Sequence, residues 1–271
     1  MSGDDDRPVL LSDQIDFLTP HSARIWNYWQ GGKHYYDVDR EAGDAFAEVF
    51  PDILPIAVQA RQFLVRVVRF LATEAGVRQF LDIGTGLPAT VNTHEVAQSV
   101  APASRIVYVD NDPLVLVNAR SLLRNTTDAG VTTYIDADFH DPERILADAR
   151  NVLNFTEPVA VMFMGVLGHV DEFAEMRSIV QRMMAGVPSG SYLALYDSPN
   201  EDPRQVQAVE QYAATGAVPY RLRSREQLLE CFQGLEMIDP GFVRITEWHP
   251  DDMQVGAPRR LNAYGGVARK P

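Results

Sequence analysis

A turn with two glycines follows a buried-looking acid in the stretch QFLDIGTGLPA, residues 79–89. Gly84 and Gly86 flank Thr85, and glycine permits a tight backbone bend and the close approach of a ligand. The N–H groups at the start of the following helix attract an anion. The spacing G-x-G-x-x-A matches a nucleotide-binding fingerprint that fits nicotinamide, flavin and S-adenosylmethionine (SAM) enzymes alike.

The acid before this turn, Asp82, narrows the choice of ligand. SAM carries a free ammonium group, and a carboxylate here can pair with it in a charged hydrogen bond of about 1.5–3 kcal/mol. The same carboxylate would repel the pyrophosphate of a dinucleotide. The alternative is that Asp82 accepts hydrogen bonds from the backbone of its own turn. The sequence therefore favours SAM and leaves a local structural role for Asp82 open.

Two further acids follow strand-like runs. Asp110 ends RIVYVD, at the distance from the turn where an acid binds ribose hydroxyls, and no arginine beside it could bind the 2′-phosphate of NADP. Asp138 follows the third run, where a methyltransferase places a carboxylate near the adenine amino group. Either acid could instead cap a helix that begins with proline, and we expect Asp112 to be the cap before Pro113.

Five short runs rich in β-branched residues alternate with helical stretches from Arg78 onward: FLDIG, RIVYVD, VTTYIDAD, VAVMFMGV and SYLALYD. Crossovers of this length predict a parallel, doubly wound sheet with helices on both faces. Ligands bind such sheets beyond the carboxyl ends of the strands, so the acids should converge there. After a helical region around Arg204 to Phe232, LEMIDPGFVRITEW and LNAYGGVARK predict an antiparallel edge.

The chain before this sheet has a helical pattern. Helices are predicted over residues 22–30, 38–49 and 53–75, the first ended by Gly31 and Gly32. We therefore divide the chain into a tail and helical cap, residues 1–75, and a SAM-binding domain, residues 76–271. The first residues, MSGDDDRP, are expected to form a disordered tail.

Charge and composition exclude several classes of function. The 271 residues include 24 Lys and Arg against 37 Asp and Glu, a net charge of −13, and no basic block suits a nucleic-acid duplex. The longest apolar run, residues 159–168, is about half the ~20 residues that cross a membrane. Cys231 is the only cysteine, which favours a reducing cytoplasm. The 6 histidines show no metal-ligand spacing, so no metal is expected.

Three longer stretches resemble one known family. They are ARIWNYWQGGKHYYDVDREA, QFLDIGTGLPATVNTHEVAQ and VYVDNDPLVL. They are similar to the actinobacterial SAM-dependent methyltransferases long catalogued as a domain of unknown function, and the similarity extends over nearly the whole chain. It implies the class I methyltransferase fold, a mainly parallel, Rossmann-like sheet of seven strands whose last strand is antiparallel.

The resemblance also implies a set of cofactor contacts. The residues that it assigns are Asp82, Gly84, Thr85 and Gly86 for the turn, Asp110 and Asn111 for the ribose, and Asp138 and Phe139 for the adenine. The chain departs from the family in two places. Ala89 stands where threonine is usual after GTGLP, and Gly168-His169 stands where a pair of histidines is common.

The segment from Arg24 to Lys33 combines aromatic rings with two cations ahead of the diglycine. Arg24 or Lys33 could bind the SAM carboxylate, and the rings could face the sulfonium, with Gly32 also at the cofactor. The alternative is an amphipathic helix that packs its aromatic side chains into the core.

Methyl transfer requires mainly that donor and acceptor be aligned and water excluded. A general base is needed only when the acceptor is protonated, and His169, after the fourth strand, is the best-placed candidate, ahead of Tyr196 and Asp197. The alternative for His169 is a packing or capping role. The leading function is methylation of a small molecule, and the alternatives are an NAD-linked oxidoreductase and a SAM-binding protein without turnover.

Overall fold

The computed structural model describes residues 15–122, 125–250 and 259–271. The predicted tail, residues 1–8, lies outside the described residues. So does part of the loop between the last two extended segments.

A single mainly parallel sheet forms the centre of the molecule. Its strands are β1 Gln79–Ile83, β2 Arg105–Asp110, β3 Val131–Asp136, β4 Ala160–Met164, β5 Tyr192–Asp197, β6 Glu236–Met237, β7 Val243–Arg244 and β8 Tyr264–Arg269. The order is β3-β2-β1-β4-β5-β8-β6, with β7 also paired to β8. Strands β1 to β5 are parallel and β8 is antiparallel to β5. The predicted doubly wound sheet and its antiparallel edge are confirmed.

The outer edge beyond β8 is divided into two short strands. Met237 of β6 pairs with Ala268, and Val243 of β7 pairs with Gly265, so both lie along the same side of β8. Pro240 between them has no N–H to donate, and Gly241 has φ +89, a left-handed conformation that turns the chain. The eight strands are therefore the expected seven-stranded arrangement with an interrupted edge strand.

Helices cover both faces of the sheet. They are α1 Ser22–Trp29, α2 Asp37–Val49, α3 Ile53–Thr73, α4 Thr93–Val100, α5 Pro113–Leu122, α6 Pro142–Ala149, α7 Phe173–Ala185, α8 Pro203–Ala213 and α9 Arg225–Glu230. The three predicted N-terminal helices are thus present, within two residues at each end. No helix in the described ranges combines the length and apolarity that crossing a membrane requires.

Acids before prolines start three of these helices. Asp112 Oδ1 accepts a hydrogen bond from the N–H of Leu114 at 2.6 Å, which confirms Asp112 as the predicted cap. Asp141 and Asp202 cap α6 and α8 in the same way. Because Asp141 caps α6, the alternative assignment of that capping role to Asp138 is wrong.

Two hydrophobic clusters lie on opposite faces of the sheet. Helices α1 to α4 share one cluster with strand residues such as Phe80 and Met162, and α6, α7 and α9 share the other. Phe63 of α3 contacts Trp248 and Tyr196 edge-on, with ring centroids 5.7 and 5.9 Å apart. Helix α3 is therefore part of the main core, and the division of the chain at residues 75/76 stays a prediction.

Candidate cofactor and acceptor site

A cavity of about 320 Å³ opens at the carboxyl ends of β1, β2 and β4, under α1 and α3. Strand order reverses between β1 and β4, which is where open α/β sheets bind their ligands. The predicted site residues that line it are Asp82, Gly84, Thr85, Gly86, Asp110, Asn111, Asp138, Phe139 and His169. The structure thus brings together residues from four separate strand ends.

The glycine turn leaves backbone exposed to the cavity. Gly84 and Gly86 have φ +67 and +62, a left-handed conformation that other residues seldom adopt. A Cβ on Gly84 would lie 2.3 Å from Cγ2 of Val166, so the position has no space for a side chain. The N–H of Gly86 donates to Asp110 Oδ2 at 2.7 Å, which fastens the turn to the end of β2.

The Asp82 side chain is 3% exposed and accepts a hydrogen bond from Thr93 Oγ1 at 2.6 Å. Thr93 is the first residue of α4, so this bond joins β1 to the helix after the turn. Burial raises the pKa of Asp82 to about 6, against the lowering effects of Thr93 and Arg61. A buried carboxylate whose charge is so incompletely compensated is a ready acceptor for a cationic ligand.

Arg61 of α3 lines the same cavity, although no motif or spacing in the sequence distinguishes it from the other arginines of that helix. Its Nη2 donates to Asn92 Oδ1 at 2.8 Å, while its Nε is buried without a hydrogen-bond partner. Burial lowers the pKa of Arg61, and the charge of Asp82 opposes that effect. Arg61 and Asp82 therefore present a cation and an anion to one cavity.

Asp110 and Asp138 lie on the cavity wall that β2 and β3 form. Asp110 Oδ1 accepts hydrogen bonds from the N–H groups of Asn111 and Asp112 at 2.9 and 3.1 Å, and burial raises the pKa of Asp110. Asp138 Oδ1 lies 2.6 Å from Nδ1 of His140. The rings of Phe139 and His140 stack with centroids 4.5 Å apart, which provides a flat surface beside these acids.

Arg24, Gly32 and Lys33 do not line the cavity. The Arg24 guanidinium donates to the carbonyls of Asp16 and Thr19 at 2.7 and 3.0 Å, and its Nε lies 3.4 Å from the buried Asp39. It therefore fixes the segment before α1, and its charge is already matched.

The diglycine shapes the cavity wall indirectly. Lys33 is exposed. Gly32 lies so close to the Asn27 side chain that a Cβ on Gly32 would be only 2.2 Å from Asn27 Oδ1. Asn27 itself lines the cavity.

Helix α1 contributes aromatic side chains to the cavity wall and to the core. Trp26 lines the cavity, whereas Ile25 is buried in the core and Trp29 packs on Phe46 with ring centroids 5.3 Å apart. The aromatic side chains of α1 are thus divided between the cavity and the core.

His169 ends a 3-10 turn, Leu167–His169, directly after β4. Its Nδ1 lies 3.1 Å from the carbonyl oxygen of Pro219, and because a carbonyl only accepts, Nδ1 carries the proton. The lone pair is therefore on Nε2. Burial lowers the pKa of His169 to about 4, so the ring is neutral at physiological pH.

Tyr220 accounts for one departure from the family pattern. A Cβ on Gly168 would lie 2.2 Å from the Cζ of Tyr220, so a second histidine at 168 would displace that ring. The Tyr220 hydroxyl donates to Asp197 Oδ1 at 2.5 Å and lies 3.2 Å from the carbonyl oxygen of Gly165. The ring also contacts His169 edge-on at 5.1 Å. Tyr220 thus holds the loop after β4 in place.

A smaller chamber of about 60 Å³ adjoins the main cavity. The two share the wall residues Ser22, Trp26, His169 and Tyr196. The remainder of the chamber wall comes from α1, α2, the start of α3, the end of β5, α8 and the segment before α9. His169 therefore stands at the boundary between the two spaces. In the described residues no group of three or more His, Cys, Asp or Glu side chains could hold a metal ion.

The strand order, the antiparallel strand β8 and the glycine turn at the switch point define a class I methyltransferase fold. An O-methyltransferase family protein from Burkholderia thailandensis has the same fold, with a TM-score of 0.52 and 15% identity over 90% of this chain and 63% of that one. A search of curated proteins found no match.

The chain belongs to the S-adenosyl methyltransferase family, whose model matches residues 9–271. A DUF574 family protein from Streptomyces avermitilis is 44% identical, with a TM-score of 0.90 over 94% of this chain and 99% of that one. A candidate methyltransferase from Thermobifida fusca is 35% identical, with a TM-score of 0.86 over 94% and 96%. The predicted family is confirmed: the chain is a SAM-dependent methyltransferase, and its cofactor is SAM.

Proposed function

We propose that this methyltransferase modifies a small molecule that binds beside His169, with SAM held in the main cavity. The observation that carries the proposal is the charged pair in that cavity, Asp82 and Arg61, close to a turn whose glycines admit a ligand to the backbone. SAM ends in an ammonium and a carboxylate, so a paired anion and cation match it at that end.

The chain's residues fit the cofactor along the whole cavity. We assign Asp82 to the ammonium and the Arg61 guanidinium to the carboxylate, in place of Arg24 or Lys33, because Arg61 lines the cavity and those two residues do not. Asp110 and Asn111 are assigned to the ribose. Asp138 and Phe139 are assigned to the adenine, with the stacked rings of Phe139 and His140 as a flat support. When bound, SAM supplies a methyl group activated by its sulfonium.

His169 is assigned to the acceptor. Since its pKa of about 4 lies well below neutral pH, Nε2 is a poor store for a proton before the reaction. We therefore expect Nε2 to accept a hydrogen bond from the acceptor and to orient its reacting atom, and to take the proton only as the new bond to carbon forms. A hydroxyl acceptor matches this role, because it loses its proton in the transfer.

A cytoplasmic setting and the absence of a nucleic-acid partner are part of the same proposal. The single cysteine, Cys231, is buried, and the net charge is −13. A small acceptor is also consistent with the space of about 60 Å³ beside His169.

The first experiment measures the thermal unfolding midpoint with S-adenosylhomocysteine (SAH), SAM, NAD and NADP, each in large excess. A ligand at about 100 times its dissociation constant adds roughly 2.7 kcal/mol of stability. We expect SAH and SAM alone to raise the midpoint. A rise with NAD or NADP would contradict the assignment of Asp82.

A matched pair of variants then tests the carboxylate contact. Arg61→Met should weaken SAH binding roughly tenfold or more, because a charged hydrogen bond of about 1.5–3 kcal/mol is lost. Lys33 is an exposed cation that the sequence also offered for the SAM carboxylate, and Lys33→Met should leave SAH affinity unchanged. If Lys33→Met is the variant that loses affinity, the carboxylate binds outside the place we assign. Isothermal titration calorimetry provides both constants.

A further inference from the structure

Aromatic side chains line much of the smaller chamber beside His169, and we call this space the aromatic chamber. Its aromatic lining residues are Trp26, Trp29, Phe46, Tyr196, Tyr212 and Tyr220. Rings of this kind make favourable edge and face contacts with another ring. The chamber therefore suits a flat, unsaturated molecule better than a flexible polar one.

The charge of the chamber wall limits the ligand further. None of its described lining residues is a lysine or arginine. Its single carboxylate, Asp197, already accepts hydrogen bonds from the Tyr220 hydroxyl at 2.5 Å and from the N–H of Ser198 at 2.7 Å. An anionic ligand would lose its hydration there without gaining a cation, which is costly. The chamber consequently favours an uncharged molecule.

One polar atom in the wall lacks a partner. The Tyr212 side chain is 9% exposed, and its hydroxyl is buried without a hydrogen bond. Tyr212 lines the aromatic chamber and not the main cavity, but its hydroxyl has almost no accessible surface, and the charged groups that act on it are Asp39 and Arg24. The chamber therefore offers a ligand the faces and edges of its rings, and no open hydrogen-bonding group from Tyr212.

The volume sets an upper limit on the size of the ligand. An engineered apolar cavity of about 150 Å³ accepts one benzene molecule. At about 60 Å³ the aromatic chamber holds less than one whole ring, so part of a ring must project past His169 into the main cavity. That projecting edge is the part of the ligand that would face the methyl donor.

We propose that the aromatic chamber binds the methyl acceptor, and that the acceptor is an uncharged molecule with a single aromatic ring. The ring packs against the aromatic wall, and its projecting edge carries the reacting atom toward His169 and the cofactor. The inference rests on the proposed function, because it names the substrate class of the same site.

Fluorine NMR on the SAH-saturated protein tests this assignment with two small probes. 4-Fluorophenol carries a hydroxyl where 4-fluorotoluene carries a methyl group of similar size. Both should bind, and 4-fluorobenzoate should not, because of its charge. Tyr212→Phe removes a hydroxyl that has almost no accessible surface, so it should leave both affinities unchanged.

A second variant tests the location without altering any polar contact. Ala42 of α2 lines the aromatic chamber and not the main cavity. Ala42→Leu should fill part of the space and weaken both fluorinated ring probes at least several-fold, with SAH affinity unchanged. The SAH titration also shows that the variant is folded.

The outcomes separate the two proposals. Failure of the protein to bind SAH would overturn the proposed function itself. Normal SAH binding with no affinity for either ring probe would overturn the aromatic acceptor alone. Cyclohexanol, a ring of similar size that is not aromatic, is measured by its competition with 4-fluorophenol, and equal affinity for the two would also overturn the aromatic acceptor.

Discussion

Replacement of Asp82 by asparagine should change two properties of the protein in opposite directions. The Asp82 pKa rises from 3.8 to about 6 because the side chain is buried. The folded chain therefore binds more protons than the unfolded chain between these pH values, and the ionised carboxylate at pH 7 costs about 3 kcal/mol of stability. Asp82→Asn removes that cost, and the ligand-free midpoint should rise by roughly 5–10 °C.

The same substitution should weaken the binding of SAH. In the unsubstituted protein the ligand's ammonium favours ionised Asp82, so affinity should fall about tenfold for each pH unit below 6. At pH 5 this loss is about 1.4 kcal/mol relative to neutral pH. Asp82→Asn should bind SAH weakly at all pH values, with a flatter profile. Calorimetric titrations between pH 5 and 8 measure the SAH affinity of each protein and its dependence on pH.

Asp197 provides a matched control for this experiment. Burial raises its pKa to about 6 as well, but it lines the aromatic chamber and not the main cavity. Asp197→Asn should therefore raise the ligand-free midpoint and leave the pH profile of SAH binding unchanged. Asp110 also lies on the cavity wall with a raised pKa, so it can contribute to a slope that remains in Asp82→Asn. An SAH affinity in the unsubstituted protein that is equal at pH 5 and pH 7.5 would refute the assigned contact.

Two further substitutions examine the turn and the ribose contact. Asp110→Ala should weaken SAH roughly ten- to a hundredfold through the loss of charge-assisted hydrogen bonds, and an unchanged dissociation constant by calorimetry would remove Asp110 from the site. Gly84→Ala should destabilise the protein by about 1–3 kcal/mol, because its φ is +67 and its Cβ would lie 2.3 Å from Val166. Gly76→Ala, with φ +68 but open space around it, is the control in thermal unfolding, and it should be affected less.

The strand ends could be predicted because their chemistry is local. Asp82, Gly84 and Asp110 each follow a short apolar run, and parallel strands bring the ends of such runs to one edge of the sheet. The Asp112 cap was predictable for the same reason, because Asp112 directly precedes Pro113 and proline is favoured as the first residue of a helix.

The contribution of α3 could not be predicted, because it depends on which helix face meets the cavity. Arg61 and Arg66 lie in the same helix, yet Arg61 lines the cavity and Arg66 donates to the carbonyl of Trp248 at 2.9 Å. No spacing within α3 distinguishes them. Arg24 was the more obvious cation, but its partners Asp16 and Asp39 occupy it.

The aromatic chamber was hidden from the sequence for a related reason. Ala42, His169 and Tyr212 lie far apart in the chain and meet only after α2 and α8 have packed together. A chamber that three distant segments form together leaves no pattern in the sequence.

The interrupted edge strand beyond β8 bears on how the molecule behaves in concentrated solution. A long, regular edge exposes a row of N–H and C=O groups that another chain can extend into an intermolecular sheet. Here β6 and β7 have two residues each, and Pro240 and Gly241 break the ladder between them. The break leaves too short an edge for stable strand pairing with a second molecule, so this edge of the sheet disfavours aggregation.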